Sequence, residues 1–232
     1  MSLEEKVKEL EKQLHEVRHQ VGMLEDINAV RHLQYKYGYY IDKCLYNEVL
    51  DLYTEDGEVH FLGGIYRGRA GVRRLYIDRF QKNFTGGRNG PVPGFLLDHP
   101  ILQFIVDVTP DRNRAYLRGR TLMQAGRHES LELDSQVPRQ WWEGGIYENE
   151  YAKEDGIWKI KILNYRAFWH ADFDQGWAKT RPDYIPMPDK TYPEDPLGPD
   201  ELIKPTPRLW PHTDVVPFHY PHPVTGKMWE PE

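Results

Sequence analysis

Apolar residues at the start of the chain recur with a regular step. Leu3, Val7, Leu10, Leu14, Val17, Val21 and Leu24 are spaced alternately four and three residues apart. That spacing defines a helix with a heptad seam, Val7, Leu14 and Val21 at a and the others at d. Lys6 at g can pair with Glu11 at e of a neighbouring helix. About 22 residues of helix span roughly 33 Å, and so short a seam is marginal alone. The segment therefore zips with another subunit or lies on its own domain. Valine at a with leucine at d leans towards two strands.

A second helical pattern follows. Asp26 is a plausible N-cap, and helical spacing continues to about Tyr53. Tyr35, Tyr39, Asp42, Tyr46, Val49 and Tyr53 then share one stripe, aromatic in body with a carboxylate in its middle. Beyond Glu55-Asp56-Gly57 the period changes. Residues 58–62 and 65–67 read as short strands around a Gly63-Gly64 turn, and 71–80 return to helical spacing. A Gly/Pro-rich loop at 85–94 covers an expected cavity mouth. Strands follow at 97–108, 114–124, 141–153 and 157–165. In the last of these Trp158, Ile160 and Ile162 alternate with Lys159 and Lys161. Helices followed by antiparallel strands make an α+β fold. Three zones result: the amphipathic helix 1–26, an α+β domain 27–175, and a tail 176–232. Thirteen of the 18 prolines lie in that tail. It also carries Tyr184, Tyr192, Trp210, Phe218, Tyr220 and Trp229, which disordered tracts lack. An extended arm pinned by its rings is expected, over its own surface or a neighbour's.

Composition narrows the function. The chain is 39% hydrophobic and 13% aromatic, enough for a core, with a net charge of -6 and no basic block. Nucleic acid is not the expected partner. The opening residues lack the apolar stretch of a secretory signal, and no apolar run is long enough to span a membrane. Together with Cys44 as the single cysteine, this points to the cytoplasm. Cys44 reads as a small buried apolar residue. Gly86-Gly87-Arg88-Asn89-Gly90 lacks the ending of a phosphate loop, and no nucleophile elbow or dinucleotide fingerprint is present. His219 and His222 have Pro221 between them and no third ligand nearby. No cofactor or metal is expected.

The candidate chemistry lies in the α+β domain. A carboxylate among aromatic rings has either a raised pKa or a fixed partner, and both suit proton transfer. The partner expected for Asp42 is His99, which opens a core strand after Leu96-Leu97-Asp98. Tyr39 and Tyr46 flank Asp42 as donors to a substrate oxygen or as plain core packing, and Tyr35 belongs to the same stripe. Arg118 and Arg120 share a strand face with Tyr116, lining a cavity and holding a phenolate or carboxylate, or facing solvent. Asn164 is a satisfied core amide or a pocket donor. Trp141, Trp142 and Tyr147 are expected in the pocket wall, and Trp169 and His170 at its mouth or under the arm.

Tyr40-Ile41-Asp42-Lys43 with Tyr46, Tyr66-Arg67-Gly68-Arg69, His99, Gly145-Ile146-Tyr147 and Asp155-Gly156-Ile157-Trp158-Lys159-Ile160 together resemble the nuclear transport factor 2-like superfamily. The likeness lies in the branch of SnoaL-like cyclases and scytalone dehydratase and covers roughly residues 27–170. It implies a cone in which helices and a curved sheet enclose a deep apolar pocket, with Asp42 and His99 as the acid–base pair. Scytalone dehydratase carries a tyrosine before its aspartate, where this chain has Ile41; Tyr39 is the expected substitute. With its Phe218-His219-Tyr220-Pro221-His222-Pro223 tail, the whole pattern is also similar to the cofactorless sphingomonad lyases that remove formaldehyde from lignin-derived diarylpropanes. That likeness implies a small aromatic substrate and a homotrimer, where the heptads lean to a dimer. The alternatives are a dehydratase, cyclase or isomerase of a polyketide-like or steroid-like substrate, and a non-catalytic binding or assembly module.

Overall fold

The computed structural model describes residues 1–131, 139–181 and 184–231. A single helix, α1, runs over Leu3–Asp42. Ser2 caps it: its hydroxyl accepts from the Glu5 N–H, and the Glu5 carboxylate accepts from the Ser2 N–H. Residues 1–21 are exposed throughout, so the heptad seam faces outward and is not folded onto the domain. Contact with the domain begins at Gly22, where the Arg112 guanidinium occupies the place a Cβ would take.

Four residues on, Asp26 is buried. It accepts from Arg112 Nε at 2.6 Å, Lys153 Nζ at 2.5 Å and Trp158 Nε1 at 2.9 Å. The expected N-cap at Asp26 is therefore corrected. No helix begins there, because Ser2 starts the helix and the carboxylate is spent on partners in the sheet. The boundary drawn at residue 26 falls inside α1.

The buried face of α1 continues through Val30, Gln34, Tyr37, Gly38 and Ile41. A Cβ on Gly38 would lie 3.0 Å from Ile101 Cδ1, a tight contact that the Ile101 side chain would have to yield to. This facing turns the expected stripe away. Tyr35 is 38% exposed and Tyr39 75% exposed, because each sits a third of a turn or more from the line facing the sheet. The helix also stops at Asp42 instead of continuing to Tyr53. Cys44 takes a left-handed conformation with φ of 53°. A short helix, α2 (Tyr46–Leu50), and strand β1 (Tyr53–Phe61) follow.

Next come β2 (Gly64–Arg67), α3 (Gly68–Arg73), a π-helical segment (Arg74–Gln81) and α4 (Lys82–Thr85). The strands β3 (Phe95–Asp98), β4 (Ile101–Val108), β5 (Arg114–Arg127), β6 (Gln140–Glu154) and β7 (Ile157–Asp172) complete the domain. Pro100 separates β3 from β4, which reads in the sequence as one strand. A two-residue strand in the tail, β8 (Glu201–Leu202), joins the edge. The sheet order is β3-β5-β6-β7-β1-β2-β8, with β4 also on β5. The β1–β7 pair is parallel and the other pairs are antiparallel. The sheet is thus mixed, curved and unclosed, with α1 and the π-helical segment against its concave face.

Two irregularities in β7 decide which side chains face inward. Trp158 and Ile160 are buried, and then Leu163, Tyr165 and Ala167 are buried instead of the even-numbered positions. The pairing slips between Ile160 and Ile162, and again between Ala167 and Trp169. Each extra residue reverses the alternation of faces. The first reversal moves Asn164 off the inward row; the second brings His170 in.

The tail clasps its own chain. Asp200 pairs with the buried Arg74, and the Trp210 N–H donates to Phe168 O at 2.7 Å. Arg118 donates to Val216 O and Pro217 O, pairs with Glu148, and lies 4.1 Å over the Phe218 ring. His219 binds Glu148 and Asp107 and stacks on Tyr116.

The Asp26 carboxyl tests how α1 is fixed. Burial by itself raises its pKa, but Arg112, Lys153 and Trp158 outweigh it and hold it below the usual 3.8. A lowered carboxyl stabilises the fold fully above about pH 4 and loses that contribution as pH falls through its folded value. Asp26→Asn is expected to lose roughly 2–3 kcal/mol at pH 7, a little less than breaking a fully buried pair, because Arg112 keeps contact with water. Urea unfolding followed by circular dichroism at pH 7 and from pH 4 to 2 checks this, and the variant is expected to show the flatter acid limb.

Candidate active site

A cavity of about 390 Å³ opens between the sheet and the helices. That is within the size range of small-molecule sites. Its wall is mainly aromatic and aliphatic. The π-helical segment supplies Leu75, Tyr76, Arg79 and Phe80, β1 supplies Val59 and Phe61, and the inward row of β5 supplies Met123 and Arg127. Tyr184 and Ile185 of the tail also line it, so the arm closes its own chain's cavity.

His99 is in that wall, just where Pro100 interrupts the strand. Its Nδ1 lies 2.7 Å from Asp42 Oδ1, and the same oxygen accepts the His99 backbone N–H at 3.0 Å. Asp42 is the last residue of α1, so the end of the helix is tied to the turn between β3 and β4. An ionised carboxylate can only accept, so Nδ1 carries the proton and Nε2 is left for a ligand.

A second imidazole–carboxylate pair lies in the same wall. His170, 1% exposed, meets Glu143 through its Nε2, and the Tyr165 hydroxyl donates to the other oxygen of Glu143. Burial pushes the Glu143 carboxyl up, but His170, Tyr165 and the nearby His99 together bring it below its ordinary value. The Tyr184 ring stacks over His170 with centroids 6.3 Å apart.

The phenols form a third group. Tyr76 shares hydrogen bonds of 3.0 Å with Tyr37 and with Tyr53. Burial pushes the hydroxyls of Tyr37, Tyr76, Tyr147 and Tyr165 well above the usual phenol value. They are protonated at neutral pH, and in the Tyr37–Tyr76–Tyr53 chain either hydroxyl of each pair can donate. Tyr46 lines the cavity, and its buried hydroxyl has no oxygen or nitrogen partner among the described residues, only the soft Cys44 thiol.

Of the residues singled out from sequence, His99, Tyr46 and Tyr147 line the cavity, and Asp42 stands directly behind His99. Tyr39 and Tyr35 do not reach the cavity; Tyr35 packs edge-on against Phe104 outside it. Arg118 lies on the opposite face of β5, holding the tail, and Arg120 is exposed on that same face. Trp142 stacks on Phe173 outside the cavity, while its neighbour Trp141 is in the wall. Asn164 is half-buried on the far side of the β7 irregularity, and its N–H donates to Asn149 Oδ1.

Glu143, Tyr165, Tyr37, Tyr76 and Arg127 were not anticipated from sequence. Strand parity finds two of them: Glu143 shares its side with Trp141 and Tyr147, and Arg127 sits two residues beyond Ala125 on the buried row. No pattern identifies His170 as inward, because two register slips precede it.

Residues 22–164 match the family model of the SnoaL-like domain. A scytalone dehydratase-like protein of Novosphingobium aromaticivorans superposes with a TM-score of 0.51 at 21% identity, over 65% of this chain and 89% of that one. LinA does so with a TM-score of 0.53 at 16% identity, over 68% and 95%. The hexachlorocyclohexane dehydrochlorinase LinA-type3 of Novosphingobium barchaimii gives 0.51 at 18%, over 66% and 92%. At such identities the likeness shows a shared fold.

The Asp42 contact fixes one tautomer of His99. Nitrogen-15 NMR of the imidazoles at a pH where the ring is neutral is expected to show His99 with its proton on Nδ1. Asp42→Asn is expected to remove that preference while far-ultraviolet circular dichroism stays unchanged.

Proposed function

The chain belongs to the SnoaL-like domain family, and from that premise we propose a cofactor-independent lyase that acts by general acid–base catalysis on a phenolic aromatic alcohol. The observation that carries this reading is the Asp42–His99 pair in the wall of a ring-lined hollow. Aromatic walls favour an aromatic ligand.

The specific reaction proposed is release of formaldehyde from a lignin-derived diarylpropane diol. In the first step the benzylic hydroxyl takes a proton and leaves as water, while the para-phenol loses its proton, giving a quinone methide. In the second step a base removes the proton of the terminal hydroxyl. Its oxygen forms the C=O of formaldehyde, the bond between the terminal and central carbons breaks, and that electron pair forms the stilbene double bond as the ring becomes aromatic again. Diol thus becomes stilbene, water and formaldehyde with no change in overall oxidation state.

His99 Nε2 is the group assigned to take the terminal proton. Asp42 holds the ring in the required tautomer and balances its charge when protonated. Tyr46, short of a strong partner, is assigned to hold a substrate oxygen. Acid–base help of this kind contributes about 10²–10⁴-fold.

The chain is also proposed to be a homo-oligomer joined through α1, a trimer by resemblance. The outward seam of Val7, Leu10, Leu14, Val17 and Val21 is the supporting observation. A second copy suits it because Lys6 at g meets Glu11 at e across such a seam.

The catalytic reading predicts that purified protein with a para-hydroxylated diarylpropane diol yields equal amounts of formaldehyde, read colorimetrically, and stilbene, read by near-ultraviolet absorbance. His99→Ala and Asp42→Asn are each expected to slow this at least about 10²-fold with folding intact. Unchanged rates in both variants would refute the assigned pair, and water loss without formaldehyde would replace the lyase with a dehydratase. For assembly, light scattering is expected to give a multiple of the 27.5 kDa chain mass, reduced by Leu14→Glu; a monomeric wild type would sink that proposal.

A further inference from the structure

Arg127 ends β5 on the row that faces the cavity and is itself part of the wall. Its guanidinium is held between two rings, 5.5 Å from the centroid of Phe95 and 5.6 Å from that of Trp141. Burial works against its charge. Among the described residues no carboxylate pairs with it and no acceptor receives its N–H groups. The other cavity arginine differs, since Arg79 donates to the Tyr66 hydroxyl at 2.9 Å. A half-buried cation with aromatic faces on two sides and unused donors lacks one thing, an anionic acceptor lying in the cavity.

The strand register gives the direction. Phe95 lies opposite Arg127 and Leu97 opposite Ala125, and His99 follows two residues later. Arg127 and His99 are therefore separated by on the order of 13 Å along the strand, at about 3.3 Å per residue. A two-ring ligand lying along β3 would put the linker between its rings at the imidazole and its far ring towards the guanidinium.

We propose that Arg127 is the anion-holding residue of the cavity and selects aromatic ligands that carry an acidic oxygen on the ring remote from His99. This rests on the cavity being the substrate site. In the reaction above, that oxygen is the phenolate which gives up its charge in the quinone methide and regains it when the stilbene forms. A fixed guanidinium stabilises that charge without reorganising. The role considered from sequence for Arg118 and Arg120 thus passes to an arginine on the opposite face of the same strand.

Binding tests this without turnover. The probes are stilbene-4-carboxylate and stilbene-4-carboxamide, alike in shape and different in charge, titrated against tryptophan fluorescence. Wild type is expected to bind the carboxylate about tenfold or more tighter, the size of a charged hydrogen bond in a sheltered site. Arg127→Met, which keeps the packing on Phe95 and Trp141, is expected to bring the ratio to about one, and Arg127→Lys to keep part of it. Arg120→Met, on the opposite face of the same strand and outside the cavity, is expected to leave it unchanged. Thermal unfolding verifies each fold, with Arg127→Gln replacing Arg127→Met should the latter fail to fold. A ratio near one in wild type, or an undiminished ratio without the guanidinium, overturns the proposal. Neither result depends on whether formaldehyde is released.

Discussion

Two imidazole–carboxylate pairs stand in and behind the wall of the hollow, and the rest of the site is built around them. Asp42 and Glu143 both stand among aromatic rings, where an unmatched charge would cost several kcal/mol. His99 answers the first and His170 the second. The pairing lets a wall of rings carry ionisable groups. It also sets the stage for chemistry, since a ring fixed on one nitrogen presents the other in a known state.

That arrangement depends on α1 being fixed along its length. Asp26 ties the middle of the helix to Arg112, Lys153 and Trp158. Gly38 lets it lie close on Ile101, and Asp42 ties its end to the turn at His99. These three contacts face the sheet from one side of the helix. A rotation that brought Tyr39 inward would break all three, which is why the exposed tyrosines stay out although their ring chemistry suits a pocket. The tail contributes from the other side. It buries Arg118 on the convex face and sends Tyr184 over His170, so a segment that resembles a linker in composition completes the cavity wall.

Much of the architecture was legible beforehand because it rests on local periodicity. The heptads of α1, the alternation at the start of β7 and the aspartate–glycine turn into it follow from local pattern alone. Asp42 and His99 are expected together from the resemblance and from the chemistry of a carboxylate among rings, and the two side chains are in contact; their acid–base role is the proposal made above. The failures have definite causes. Helical spacing runs on to Tyr53, but a left-handed turn at Cys44, a residue with no turn signature, follows the end of the helix at Asp42. Asp26 was given a cap's role because a cap and a tertiary ion pair use the same side chain.

By itself the sequence determined most of the helical and strand segments though not where they end, that the core is aromatic, and that a carboxylate and a histidine were available for proton transfer. Only the tertiary structure decided which faces meet. The rotation of α1, the two register slips in β7 and the path of the tail selected Glu143, His170 and Arg127 for the cavity and left Tyr35, Tyr39, Arg118, Arg120, Trp142 and Asn164 outside it. The physical reason is that spacing along a chain is a local property. Which side of an element turns inward is instead set by contacts between residues far apart in sequence, and one extra residue in a strand is enough to reverse it.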